Sequence, residues 1–417
     1  MSILINQKRP LQLFEGFGVE LEYMIVNRDS LDIMPISDRV LINSSGEITN
    51  ELVLDGVAWS NELALHVIEI KTAGPAKDLS TVGIELQKHV EKIDALLEPF
   101  GARLMPGAAH PWMDPYNGIE LWPHEYNPIY EAYNRIFNCS GHGWSNVQST
   151  HLNLPFTGDE EFEKLHAALR LILPLIPAMA ASSPIADMER KPFLDYRMEM
   201  YRINSIKIPS ITGLIVPEAI FSKETYQKEI LDRMYREISS HDPDQILQEE
   251  WLNSRGLMPR WDRNSIEVRI MDVQECPKID LAILEWVVTV TKLLISEDFY
   301  PLDLQKNWHE EELYPILLST IRNGENGVIT NRKYLNIFGL STPSISAGDL
   351  CEHIFQEFSS PGSYSSDTSE ILELIFKEGP LARRILKSLP ESFQKEDLVN
   401  TYHHLSDCLK YGKPFIT

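Results

Sequence analysis

GFGVELEYMIV, residues 16–26, sets two glutamates, Glu20 and Glu22, inside an otherwise apolar run. Residues 14–27 alternate as a strand does, and successive side chains of a strand point to opposite faces. Glu20 and Glu22 therefore share one face, while Val19, Leu21 and Tyr23 fill the other. Two neighbouring anions on a half-buried face are costly unless a counter-charge sits with them. Two readings follow. The strand has a solvated acidic edge, or it carries a metal-bearing face, since Mg²⁺ is held by carboxylate oxygens.

Three other runs share the strand pattern. In ELALHVIEIKT (62–72), Glu62 and Glu69 lie seven apart. That odd spacing puts them on opposite faces of one straight strand, so both serve one site only if the chain bends or bulges between them. In SNVQSTHLNLPF (145–156), Ser149, His151 and Asn153 share a face. In NSIEVRIMDV (264–273), Glu267 and Arg269 point one way and Asp272 the other. Taken singly, these fit a structural histidine and surface ion pairs. They also fit metal-binding carboxylates beside a guanidinium that grips a carboxylate or phosphate.

Helical periods lie between the strands. Residues 78–101 repeat apolar positions at a helical spacing, with Ser80 as the expected N-cap and Gly101 beyond the end. Residues 158–173 begin acidic, as a helix N-terminus prefers, and 278–297 form a helix apolar on most faces. The longest apolar stretch, 169–186, contains Arg170 and three prolines, which predicts a buried helix and a turn rather than a membrane span. After residue 303 helical segments are shorter and are split by RNGENG (322–327) and by SSPGSYSSDTSE (359–370), the latter expected to be a mobile loop. The organisation expected is a strand-rich catalytic body over 1–303 and a helical C-terminal part, 304–417, packed on the same domain.

Composition narrows the function. The chain has 417 residues, 43% hydrophobic and 24% charged, as soluble globular proteins do. Its net charge of −23 argues against nucleic-acid partners, which require basic surface. The four cysteines are far apart and form no Cys-x-x-Cys pair, which suits reduced thiols and a cytoplasmic location. MSILINQKRP (1–10) has no apolar segment and no cleavage site, so no secretory leader is expected. CSGHG (139–143) lacks the second pair a zinc site needs, and GFG (16–18) is too short for a phosphate loop. The aromatic-rich WPHEYNPIYEAYNRIF (122–137) reads as core or as the wall of a substrate cleft.

Together, and in this order, these segments resemble the glutamate–cysteine ligase family, in particular its carboxylate–amine ligase branch. GVELEYMIV is similar to the family's Gly-Val-Glu-x-Glu opening, GAAHPW (107–112) to a Gly-x-x-His-Pro segment, and THLNLPF to its His-bearing strand. SSPIADM (182–188) resembles a Ser-Ser-Pro turn and IEVRIMDVQ a Glu-x-Arg-x-x-Asp strand. NRKYLNIFGL (331–340) and EGPLARRIL (378–386) resemble later segments, so the likeness runs over residues 14–388. The branch often has His-x-His where this chain has Ser149-Thr150-His151, and often an Arg at the position of Ile337. These departures leave the branch and the substrate open.

The resemblance implies an α+β fold like the catalytic domain of glutamine synthetase: a curved antiparallel sheet forming a funnel, flanked by helices. It implies Glu20, Glu22, Glu69, His151 and Glu267 as metal ligands, with Glu62 nearby as the group that takes the amine's proton. Arg269, together with His151, would face the nucleotide, and Arg269 would grip the transferring phosphoryl. Arg197 or Arg202 would hold the acid. The cofactors implied are ATP and Mg²⁺, with Mn²⁺ as a substitute. The reaction implied joins a carboxylate, the γ-carboxyl of glutamate, to cysteine or another amine through an acyl phosphate. The alternatives are a small-molecule kinase on the same fold and a non-catalytic member that binds nucleotide or ligand. Small-molecule substrates are the expected partners, with no nucleic acid, no membrane and a homodimer left open.

Overall fold

Alternating sequence builds the centre of the molecule, and the computed structural model describes it for residues 3–5, 9–358 and 362–416. The strand β1 (Gly18–Asn27) lies in the middle of an eight-stranded antiparallel sheet. The other strands of the sheet are β2 (Glu51–Leu54), β3 (Val57–Asn61), β4 (Val67–Thr72), β5 (Ala102–Met105), β6 (Ser149–Pro155), β9 (Leu257–Arg260) and β10 (Ser265–Asp272). The order across the sheet is β2-β3-β4-β1-β6-β10-β9, and β5 pairs with the C-terminal half of β1. A separate hairpin is formed by β7 (Ile185–Ala186) and β8 (Glu189–Arg190). The fold is α+β, a curved antiparallel sheet flanked by helices.

The face opposite Glu20 and Glu22 is apolar from strand to strand. Val19, Leu21, Tyr23 and Ile25 of β1 are fully buried, as are Ile68 and Ile70 of β4, Leu152 and Leu154 of β6, and Ile266 and Val268 of β10. They share one hydrophobic cluster with residues of the helices Leu79–Leu97, Gly158–Ile172 and Pro277–Ile295. Burying each such side chain contributes roughly 1.5–3 kcal/mol, so this layer fixes which face of the sheet turns outward. Gly18 is required for another reason. A Cβ there would stand 2.9 Å from that of Asn153, its cross-strand partner.

Several sequence expectations need correction. The run 62–72 is not one strand. The chain turns between Asn61 and Val67, so Glu62 sits in the turn and only Glu69 in β4. The run 145–156 begins as strand only at Ser149, after a short helix His142–Ser145. The helix N-cap is Asp78, not Ser80. The Asp78 carboxylate accepts the Ser80 amide at 2.9 Å, because the anion is the better acceptor for the first turn. The serine-rich stretch is loop only in part: Ser365 caps the helix Ser366–Glu378, and residues 359–361 lie outside the described residues. Residues 1–2 and 6–8 of the leader region and residue 417 lie outside them too. Among the described residues no helix is long and apolar enough to cross a membrane.

The C-terminal helices cover the far end of the sheet face that carries Glu20 and Glu22. Leu381 and Ile385 of the helix Leu381–Ser388, and Leu398, Tyr402 and Leu405 of the helix Lys395–Tyr411, pack with Met24, Val26 and Met105. Arg384 and Glu275 form a fully buried ion pair, and both ends of it also bond the backbone of Phe415.

His110, from the GAAHPW segment, ties the loops at this end. Its Nε2 donates to the Leu31 carbonyl at 2.8 Å, and its Nδ1 accepts the amides of Trp112 and Met113 at 3.2 and 3.0 Å. Only the neutral ring can do both. Burial holds its pKa down at about 4, against an ordinary 6.5. The unfolded chain therefore binds this proton first as the pH falls. His110 contributes its full stability above pH 6.5 and loses it progressively toward pH 4, by about 3 kcal/mol in all. Urea midpoints measured from pH 7.5 down to 4.5 should fall accordingly, and a His110→Gln variant should be less stable at neutral pH and show a shallower fall.

Candidate active site

Antiparallel register gathers the polar side chains of the open face into rows. Ser60 stands opposite Glu69, and Glu69 opposite Glu22. In the next row Lys71 stands opposite Glu20, and Glu20 opposite His151. In the third, Asn153 stands opposite Glu267. Glu62 reaches the same place from the turn between β3 and β4. The result is a cavity of about 570 Å³ lined by Glu20, Glu22, Glu62, Glu69, His151, Glu267 and Arg269 among others.

Hydrogen bonds hold the set in place. The Ser149 amide and hydroxyl donate to Glu22 at 2.8 and 3.0 Å, and the Ser149 Oγ lies 2.9 Å from Nε2 of His151. Nδ1 of His151 lies 3.0 Å from Glu20, whose second oxygen accepts from Asn153 at 3.0 Å. Ser60 and Lys71 donate to one oxygen of Glu69 at 2.5 and 2.6 Å. Arg269 grips Glu267 at 2.8 and 3.0 Å and reaches the Tyr201 hydroxyl at 3.5 Å.

Charge compensation across the cluster is uneven. Burial is the largest influence on Glu20 and pulls its pKa up, but the bond and charge of His151 and the charge of Lys71 together bring it below the ordinary range. Glu267 is likewise buried, yet Arg269 and His151 hold it low. Burial and then the charge of Glu69 push Glu22 up, and burial with Glu22 and Glu69 pushes Glu62 well up. His151 is raised despite its burial, through Glu20, Glu267 and Glu22.

The under-compensated carboxylates lie together. One oxygen each of Glu22, Glu62 and Glu69 fall within 4.8 Å of one another, and so do one ligand atom each of Glu20, Glu69 and His151. Carboxylate oxygens with a single imidazole make a donor set for a hard divalent cation such as Mg²⁺ or Mn²⁺.

The two arginines considered for the acid part ways. Arg202 is not in the cavity wall. Its guanidinium is taken by Glu199 at 2.7 and 2.9 Å and by the Tyr314 hydroxyl at 3.3 Å. Arg197 borders the cavity but is only 2% exposed, and it donates to the backbone carbonyls of Arg269 and Ile270 at 2.9 and 3.4 Å. Sequence reading missed Lys71, although it stands two residues beyond Glu69 on the same strand. It also missed Arg260, whose guanidinium lies 4.0 Å from Glu267, and Arg263 at the rim. Arg260 reaches the site only because β9 pairs with β10, which no local pattern announces.

Comparison with known proteins bears on the family and the fold. An uncharacterized protein of Archaeoglobus fulgidus is 32% identical over 399 residues, covering 96% of this chain and all of its relative. The fold resembles a glutamate–cysteine ligase from Francisella tularensis, solved in complex with AMP, with a TM-score of 0.59 at 11% identity over 96% of this chain and 90% of that one. It also resembles a bifunctional glutathione synthetase from Pasteurella multocida, with a TM-score of 0.56 at 13% identity over 95% of this chain and 52% of the longer one. Residues 16–324 match the family glutamate–cysteine ligase family 2, and the chain belongs to that family of ligases.

Proposed function

We propose that the protein is an ATP-dependent carboxylate–amine ligase that takes the γ-carboxyl of glutamate as its acid. The observation that carries this reading is the partly compensated carboxylate shelf beside Arg269. Family membership supports the ligase class, and the AMP held by the Francisella tularensis relative supports a nucleotide substrate. A second hollow of about 580 Å³, bordered by Gly16, Gly18 and Pro75, shares Glu20 and Arg263 with the main cavity. Two substrates can thus approach the shelf from opposite sides.

Glu22, Glu62 and Glu69 fit one divalent cation, and Glu20, Glu69 and His151 offer a second donor set. A cation bound there supplies positive charge against the triphosphate. The charge problem is real. Two anions about 4 Å apart repel by about 4 kcal/mol at an effective dielectric of about 20. The substrate carboxylate attacks the γ-phosphorus, ADP leaves, and the amine nitrogen displaces phosphate from the acyl carbon. Arg269 sits to stabilise the transferring phosphoryl group, and phosphoryl transfer needs little beyond such positioning and neutralisation. With a cation on the Glu20, Glu69 and His151 set, Glu62 is free to accept the proton the ammonium must lose.

Purified protein with Mg-ATP, glutamate and a panel of amines should release ADP and form a new amide, detected by mass. ADP released with the acid alone, independent of any amine, would point to a kinase instead. Glu267→Gln should lower kcat by about 10²-fold or more while circular dichroism shows the fold intact. Glu69→Gln, which touches both donor sets, should weaken Mn²⁺ binding by about tenfold or more in calorimetry. Unchanged Mn²⁺ affinity would remove the metal assignment.

A further inference from the structure

The helix Asn127–Phe137 forms a wall of the main cavity, and the wall is aromatic. Tyr126, just before the helix, and Tyr130, Tyr133 and Phe137 recur at steps of four, three and four, one face of a helix. Tyr126, Tyr130 and Tyr133 line the cavity, as do Trp144 and Trp251. The Tyr133 ring centroid lies 5.2 Å from that of Trp144 and 5.9 Å from that of Trp251, and Phe137 stacks on Trp144 at 5.5 Å. The Tyr130 hydroxyl accepts from Asn61 at 2.9 Å, beside Glu62. Burial and then the charge of Glu62 push the Tyr130 pKa up, as expected if the hydroxyl stands close to the shelf.

A cavity with ring faces in its wall and carboxylates at its base has a definite preference. Ring faces are electronegative and attract an ammonium group, by roughly 0.5–2 kcal/mol each, and they give a carboxylate nothing. The cations lining the cavity already have partners: Lys71 is held by Glu69 at 2.6 Å and Glu51 at 3.4 Å, Arg269 by Glu267 at 2.8 Å, Arg260 and Arg263 by Asp262 at 3.1 and 3.5 Å, and Arg197 by the backbone of Arg269.

We infer that the acceptor is a primary amine with an apolar alkyl or aryl body and no carboxylate, bound between the aromatic wall and Glu62. The assignment rests on the ligase reading above and names its second substrate class. In the joining step the ammonium gives one proton to Glu62, the nitrogen–carbon bond forms, the bond from carbon to the phosphate oxygen breaks, and the second nitrogen proton leaves on the phosphate.

Two matched pairs test it: cysteamine against cysteine, and phenethylamine against phenylalanine, with the whole protein, Mg-ATP and glutamate. The member without the carboxylate should have the higher kcat/KM in both pairs, by about tenfold or more. Tyr133→Ala should raise KM for phenethylamine by about tenfold while KM for ATP is unchanged, and Tyr133→Phe, which keeps the ring, should restore it. An amino acid that equals or beats its decarboxylated partner overturns the assignment, as does an unchanged amine KM in Tyr133→Ala. Hydroxylamine, too small to need the wall, separates the two levels. Hydroxamate formed with amino acids preferred sinks the amine class alone, and no hydroxamate at all sinks the ligase reading with it.

Discussion

Like charges held side by side on one sheet face are the constraint from which the other features follow. Glu20, Glu22, Glu69 and Glu267 project from three strands, and Glu62 joins them from a turn. A chain left to itself would separate them. The apolar face prevents this. Slipping any strand by one residue would send its glutamates into the core and its valines and leucines outward. The cost of that exchange, several side chains at roughly 1.5–3 kcal/mol each, exceeds what repulsion between the carboxylates can recover. The helices behind the sheet are therefore part of the site, although none of their side chains touches it from that side.

His151 is the hub of the compensation. Its ring nitrogens lie 3.0 Å from Glu20, 3.8 Å from Glu22 and 3.9 Å from Glu267, so one ring faces three carboxylates. Ser149 extends that reach to Glu22 by hydrogen bonding at both ends. The related branch often carries a second histidine at this position. Here a hydroxyl replaces it, which leaves Glu22 under-compensated and shifts the donor set further toward oxygen. That difference ties a single departure in sequence to the electrostatics of the site.

Much of this was legible because a strand has an exact period of two. The pairs Glu20/Glu22, Ser149/His151 and Glu267/Arg269 fall on shared faces by parity alone, and the open face carries all of them. Parity was also right that Glu62 and Glu69 could not share a face of one straight strand. It could not show that the chain reverses between them, because LALH contains none of the Gly, Pro, Asn or Asp residues that mark a turn. Arg260 was hidden for a different reason. It depends on which strands pair, and pairing is decided by the whole sheet. Arg202 looked like a substrate ligand because it lies near Arg197 in sequence, yet on the helix Tyr196–Asn204 the step of three to Glu199 fixes it in a local ion pair.

Arg197 shows how a charge near a site can belong to its framework. The pairing of β10 with β6 shifts between Val268 and Met271, so Arg269 and Ile270 form a bulge. A bulge leaves carbonyls without ladder partners, and such groups cannot stay unpaired when buried. Arg197 takes both of them. Asp272, 3.6 Å away, balances its charge and is itself held by the Ser182 amide and the Ser183 hydroxyl at 2.8 Å, which gives the Ser-Ser-Pro turn its purpose. Asp195 caps the helix that delivers Arg197 by accepting the Met198 amide. Burial and then the charge of Asp272 push the Asp195 pKa well up. The guanidinium that sequence suggests for the acid is committed to the bulge.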